Sequence, residues 1–333
     1  MIGRYGPPVF QILTGLNGAY NVALMKAIPN EKVLSKDFAY LFLKYSKIQD
    51  YIIHLSQRAA GQTGVNKEAI EDYPILVPTL PEQQRIVSIL DEAFESIEKA
   101  KAIAEQNLKN VRELFESYLQ CVFEKPLESW EICNLQEYIK LIDYRGRTPI
   151  KTEFGVRLIT AKNVKLGYLK TEPQEFIAAD SYESWMSRGI PNYGDIIFTT
   201  EAPLANIAQI NTTEKLAFAQ RIIVMQPRPD KIDQNFLKYL LLSNPIRKNI
   251  IGQGTGATVQ GIKSSLLKKV KIYFPKSLDE QKVIVNKLNS LSNETKKLEA
   301  IYQQKIADLD ELKKSLLQKA FNGELKTLEP IEA

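Results

Sequence analysis

GVNKEAIEDYPILVP (64–78) and GIKSSLLKKVKIYFP (261–275) are two versions of one passage, and their likeness sets the plan of the whole chain. Gly64 matches Gly261, Ile75 matches Ile272 and Pro78 matches Pro275 at an offset of 197. After a one-residue insertion, PEQQRIV (81–87) matches DEQKVIV (279–285), with Glu82 over Glu280 and Gln83 over Gln281. Upstream, AYLFLKYSK (39–47) resembles KYLLLSNPI (238–246), so the repeat includes a preceding short helix. Each half therefore passes from a β-rich segment, through a proline, into a long helix.

The helix periodicity is clear in both halves. Apolar or small residues recur at spacings of three and four in 82–124, at Ile86, Leu90, Ala93, Ile97, Ala100, Ala104, Val111, Leu114 and Tyr118. In 280–322 they recur at Ile284, Leu288, Leu291, Leu298, Tyr302, Leu309, Leu312 and Leu316, with Thr295 and Lys305 interrupting. Each helix would extend about 64 Å at 1.5 Å per residue. Asn322-Gly323 supplies a C-terminal stop for the second. Two narrow seams separated by a folded module pair antiparallel, which puts Leu291, Leu298, Leu309 and Leu312 opposite Leu90, Ile97, Val111 and Tyr118. Two amphipathic helices lying separately on their own domains would carry broader stripes.

Between the helices, extended runs are expected at 156–160, 195–200, 207–210, 221–226 and 270–274, with a helix at 233–243. The fold class expected is α+β: mixed β-sheet domains with short helices, joined by two long helices in an antiparallel coiled coil. The domain boundaries expected are 1–80 (a partial first domain), 81–124 (first helix), 125–278 (second domain), 279–323 (second helix) and 324–333 (tail).

Charge is unevenly spread over the 333 residues, whose net charge is +5. Residues 127–276 hold 21 cations and 14 carboxylates, a net +7, whereas 81–124 is net −4. A basic block beside acidic connectors suits a polyanion-facing module. Two separated cysteines, Cys121 and Cys133, and no secretory pattern point to a reducing, cytoplasmic setting without a disulfide framework. No apolar run approaches the length of a membrane span.

Catalytic chemistry finds few carriers. His54 is the only histidine, so neither a zinc triad nor a Ser-His-Asp arrangement can be assembled. GQGTGATVQG (252–261) lacks the Gly-Lys-Ser/Thr ending of a phosphate loop. Asn244-Pro245-Ile246-Arg247 lacks the rest of an amino-methyltransferase motif, and Asp195 and Glu201 have no closely following lysine of a nuclease. No catalytic, metal or cofactor site is expected. Nucleic-acid readers are better represented. Tyr144, Arg145, Arg147 and Thr148 lie on a Gly/Pro-bounded loop, where one guanidinium can reach guanine edges and the other a phosphate. Lys162, Asn163, Thr199, Thr200, Gln220 and Arg221 add cationic, amide and hydroxyl groups, as do Gln253, Thr255, Thr258 and Gln260 on the glycine-rich loop.

DYRGRTP (143–149), ITAKNV (159–164), GDIIFTT (194–200), TGATVQGI (255–262) and the PEQQRIV and DEQKVIV helix starts together resemble the specificity subunits of type I restriction-modification systems. The resemblance covers nearly the whole chain. It implies two target-recognition domains that each read one half of a split double-stranded DNA site, and two helices that set their spacing and dock methyltransferase subunits. A separate motor-nuclease subunit would cut, and S-adenosylmethionine would bind the methyltransferase, so this chain itself would need no cofactor. The departure from the family lies at the start. Residues 1–4 fall near the counterpart of 198–202, so roughly the first 70 residues of a first domain, judged by the chain's own repeat, have no counterpart, the DYRGRTP loop included. The alternative expectation is a scaffold, fragment or silent recombination cassette that binds partner subunits without base preference.

Overall fold

The computed structural model describes residues 1–6, 9–15, 18–58, 64–65, 67–124, 127–146, 148–256 and 259–325. It divides into two compact units: Met1–Asn110 with Leu298–Ala333, and Val111–Lys297. The boundary between them falls inside both long helices, Leu80–Glu124 and Leu278–Phe321.

The second unit is built around a four-stranded antiparallel sheet in the order Ile139–Asp143, Ile222–Pro227, Ile196–Thr199, Ile207–Gln209. Its central strands have no polar alternation because both faces are covered. Ile196, Phe198, Ile223 and Met225 face one core, shared with the helix Gln234–Leu242. Ile197, Ile222 and Val224 face a second core, shared with the three-stranded sheet Phe176–Ile177, Val156–Ile159, Leu216–Phe218. A third sheet pairs Lys271–Phe274 with Glu131–Asn134. The strands expected from sequence form within a residue or two of their expected bounds, and Asp233 caps its helix by accepting from the Asn235 and Phe236 amides. The strands 131–134, 139–143, 176–177 and 216–218 were not expected; they are short, and their apolar pattern becomes legible only against the cores they cover.

The first unit repeats the C-terminal part of this architecture residue by residue. Ile2 pairs with Met25 and Gly3 with Leu24, as Phe198 pairs with Ile223 and Thr199 with Ile222. Ile2 bridges Ile12 as Phe198 pairs with Ile207. Phe10 and Ala205, at matching places in the turns, both hold positive φ, 61° and 63°. The helices Lys36–Leu43 and Gln234–Leu242 follow, capped by Ser35 and Asp233.

The repeat explains the Glu-Gln helix starts. Gln83 and Gln281 are fully buried. The Gln83 amide donates to the Val33 and Pro78 carbonyls (2.7 and 2.8 Å) and accepts from the Ser35 amide (2.8 Å). Gln281 makes the same three bonds to Lys231, Pro275 and Asp233 (3.2, 2.8 and 2.8 Å). A buried side-chain amide thus ties each long helix to the helix cap and the proline of its own unit.

In the first unit the long helices run antiparallel, with Lys101 on Asp310 at 2.6 Å and Lys313 on Glu98 at 2.7 Å. Leu90 and Ile97 are buried, as is Val111 in the second unit, and Leu291 and Leu309 are half-buried. The expected seam needs correction at four residues. Leu114 is 53% exposed, Tyr118 37%, Leu298 40% and Leu312 46%. Beyond Val111 the buried face of the first helix continues through Phe115, Leu119 and Phe123, because its last turns lie on a domain core whose stripe recurs every four residues. On the second helix Thr295 takes the inward place, at 3% exposure; its hydroxyl donates back to the Leu291 carbonyl at 2.9 Å, which removes the cost of burying it. Lys313 displaces Leu312, with its ammonium 5.0 Å from the centre of the Phe94 ring. Leu298→Ala is accordingly expected to cost less than about 1 kcal/mol, against about 2–5 kcal/mol for Leu288→Ala, whose side chain is fully buried. Urea denaturation of the two variants checks the ordering.

Candidate nucleic-acid interface

One end of the four-stranded sheet in the second unit opens into a cleft of about 320 Å³ lined by Arg145, Thr200, Glu201, Gln220, Arg221, Thr255 and Lys263, among others. Three cations face one carboxylate there. The cleft is assembled where three chain segments meet: the turn after Ile139–Asp143, the ends of Ile196–Thr199 and Ile222–Pro227, and the loop leading into residues 261–263.

Arg145 is the strut of this assembly. Its Nε and Nη2 donate to the two Asp143 carboxylate oxygens at 2.9 and 2.6 Å, and its Nη1 to the Ile262 carbonyl at 3.1 Å. Three of its five N–H groups are thus spent on holding the loop against the 261–263 segment. Arg188 closes the loop from below, donating to the Asp143 and Arg145 carbonyls at 2.5 and 2.6 Å. Burial would raise the Asp143 carboxyl, but the Arg145 side chain and amide, with Arg188 nearby, hold it below the ordinary range. A folded pKa below the unfolded one means that the pair's contribution is present above the ordinary carboxylate range and is lost as pH falls through the folded value. Asp143→Asn should therefore flatten the acid side of the stability–pH curve, measured by urea midpoints across the acid range.

Arg221 carries a positive φ of 77° at the start of its strand, where its carbonyl still accepts from the Thr200 amide at 2.9 Å. Its Nε meets Glu201 at 2.8 Å, with both side chains partly exposed. Gly261 lets the glycine-rich loop approach: a Cβ there would stand 3.3 Å from both the Glu201 Cβ and the Thr200 carbonyl oxygen. The Thr200 hydroxyl lies buried at the cleft wall with no hydrogen-bond partner among the described residues.

The sequence-derived reader set is sorted by these contacts. Arg145, Thr200, Gln220, Arg221 and Thr255 come together in the cleft, and exposed Thr148 donates to Gln220 at 3.3 Å. Gln253 and Gln260 flank the glycine-rich loop, and their amides donate to Asn249 and to the Ile251 carbonyl. Lys162 is exposed and does not line the cleft. Three expected contacts are corrected. Tyr144 is 3% exposed, its ring stacked on Phe218 and its hydroxyl donated to the Gly189 carbonyl. Asn163 is fully buried, accepting from Thr160 and donating to the Lys170 and Pro173 carbonyls, so it staples a turn. Thr199 is fully buried and donates to the Pro203 carbonyl at 2.6 Å. Arg147 and Thr258 lie outside the described residues. Sequence reasoning missed Lys263 and Arg188, and weighed Glu201 only as a nuclease carboxylate. A basic residue just after the glycine-rich loop was a usable signal for Lys263; nothing local marks Arg188.

A fold of two repeated recognition-type units joined by long helices, with a cationic polar cleft on one of them, matches a known family. The family model for the type I restriction modification DNA specificity domain matches residues 16–106 and 128–307, and the chain belongs to that family. It is a DNA-specificity subunit and not an enzyme. The type I restriction enzyme MjaVIII specificity subunit of Methanocaldococcus jannaschii is 24% identical over 335 residues, covering 95% of this chain and 76% of that protein. Among solved structures, a chain from a study of complex assembly and conformational transition in a type I R-M system aligns with a TM-score of 0.73 at 21% identity, covering 89% of this chain and 73% of that one. The HsdS subunit of Thermoanaerobacter tengcongensis aligns with a TM-score of 0.58 at 19% identity, covering 89% and 72%.

Proposed function

We propose that the second unit reads one part of a double-stranded DNA target through the Arg145–Arg221–Lys263 cleft, in a complex whose methyltransferase subunits dock on the long helices and carry the chemistry. The observation that supports this most is the gathering of Arg221, Lys263, Gln220 and Thr255 around a cleft braced by the Arg145–Asp143 pair. Planar guanidinium and amide groups suit base edges, and the lysine suits a phosphate. A motor-nuclease subunit joins through the complex, and the site of action is the cytoplasm. No helix among the described residues is long and apolar enough to cross a membrane.

Base reading by Arg221 and phosphate anchoring by Lys263 leave different signatures. Arg221→Ala should relax specificity at one position of the target at a cost of about 1–3 kcal/mol. Lys263→Ala should weaken all sequences alike and lower the salt dependence of log K by about 0.9. Fluorescence titration of the assembled complex against a randomised duplex library, at several salt concentrations, separates the two. Unchanged affinity and base preference in the Arg221→Ala, Lys263→Ala double variant would remove the cleft from the interface.

A further inference from the structure

The fold does not require the ion pair between Arg221 and Glu201, and the repeat shows this. In the second unit the Thr200 amide donates to the Arg221 carbonyl at 2.9 Å, and the Ile262 amide to the Thr200 carbonyl at 3.0 Å. In the first unit the Arg4 amide donates to the Ala23 carbonyl at 2.8 Å, and the Val65 amide to the Arg4 carbonyl at 2.9 Å. Arg4 therefore stands where Thr200 stands, Tyr5 where Glu201 stands and Ala23 where Arg221 stands. The same backbone closure forms in the first unit with no ion pair at these places, and Ala23 makes its bond without the positive φ of 77° that Arg221 holds. A positive φ at a residue with a Cβ is costly, and such residues cluster where a ligand is bound. The strained arginine and its carboxylate are thus particular to the cleft of the second unit, which both of them line.

The hydrogen-bonding groups of the pair are unevenly used. Nε of Arg221 lies 2.8 Å from Oε1 of Glu201. Among the described residues, neither Nη group of Arg221 nor Oε2 of Glu201 has a hydrogen-bond partner. The pair offers two planar donors and, beside them, one acceptor, held in that order by the ion pair. A phosphate offers only acceptors and would meet the carboxylate as a like charge. Lys263, on the same cleft, has no carboxylate partner among the described residues and suits the phosphate better. Base edges in the major groove separate cleanly on this pattern. A G·C pair presents two acceptors, guanine N7 and O6, and then one donor, the cytosine N4 amino group; an A·T pair presents acceptor, donor, acceptor. Only the G·C order complements two donors followed by an acceptor.

We infer that, with the cleft facing DNA as proposed above, Arg221 and Glu201 together read a single G·C base pair from the major groove. The Arg221 Nη groups donate to guanine N7 and O6, and Glu201 accepts from the cytosine N4 amino group. Tyr5 and Ala23 carry neither a guanidinium nor a carboxylate, so the first unit does not share this device.

The test uses the chain assembled with its methyltransferase subunits. Selection from a randomised duplex library, followed by sequencing, should show one invariant G·C position that Arg221→Lys releases, since lysine keeps the charge and loses the planar fork. At that position 7-deazaguanine, which lacks N7, should weaken binding about ten- to 150-fold, as for a hydrogen bond to a charged group, whereas inosine, which loses only a minor-groove amino group, should not. Replacing the cytosine by 2-pyrimidinone removes the N4 amino group. It should cost the wild type about tenfold more than it costs Glu201→Ala; any weakening of the duplex itself is common to both proteins and cancels. The inference is overturned if the position released by Arg221→Lys is an A·T pair, or if 2-pyrimidinone costs the wild type and Glu201→Ala alike. It is also overturned if Arg221→Lys releases no position while Arg221→Ala, Lys263→Ala loses affinity for all sequences equally, since the pair would then anchor a phosphate in a cleft that still faces DNA. Unchanged binding and base preference in that double variant is the separate result that removes the cleft from the interface, and G·C reading with it.

Discussion

Gln281→Ala should destabilise the second unit by roughly 3–5 kcal/mol, although the side chain touches no DNA-facing residue. The substitution removes three hydrogen bonds and leaves the Asp233 amide and the Lys231 and Pro275 carbonyls facing a buried space. A buried group left unpaired costs about 1–3 kcal/mol, more than the net gain from forming its bond. The space is too small and too dry to be refilled cheaply, since Gln281 is fully buried. Gln281→Glu should be nearly as damaging, because a carboxylate cannot donate to the two carbonyls. Gln83→Ala should act in the same way in the first unit, where the same three bonds recur. Hydrogen exchange resolves the two. The Gln281 variant should lose protection in the helix Gln234–Leu242 and keep it in Lys36–Leu43, and the Gln83 variant should do the reverse. If both variants lost protection in both helices, the clamps would not be local to their units.

Phe123→Ala is expected to cost about 3–5 kcal/mol. Its ring is fully buried between Phe236, at 5.5 Å between centroids, and Trp130, at 6.2 Å, in edge-on arrangements that add to the burial. The repeat sharpens the expectation. Phe321, its counterpart at the end of the second long helix, packs in the first unit against Phe38, Phe42 and Tyr45 at 5.2, 5.4 and 5.6 Å. Each unit is thus closed by the last turns of the long helix that starts in the other. Calorimetry of Phe123→Ala should show a lowered transition for the second unit, together with weakened DNA binding in the assembled complex. A variant destabilised by less than about 1 kcal/mol would show that the helix end is a loose tether and not part of the core.

The sequence by itself determined the repeat, the two long helices and most strands of the second unit. These are local or periodic properties: a helical seam, a β-branched run and a matched Gly-to-Pro passage carry their meaning in neighbouring residues. Only the tertiary structure decided which polar groups are free. Arg145 and Asn163 stand in equally polar, turn-rich segments, yet one lines a cleft and the other is fully buried, because exposure depends on strands distant in the chain. The seam failed at Leu114, Tyr118, Leu298 and Leu312 for a related reason. Periodicity gives the direction of a helical face to within one residue, and the choice between Leu312 and Lys313 fell to cross-helix partners, Glu98 and Phe94, more than 200 positions away. The role of Gln83 and Gln281 was visible as a repeat and invisible as chemistry, since a glutamine acquires a role only when a cap, a proline and a carbonyl are folded around it.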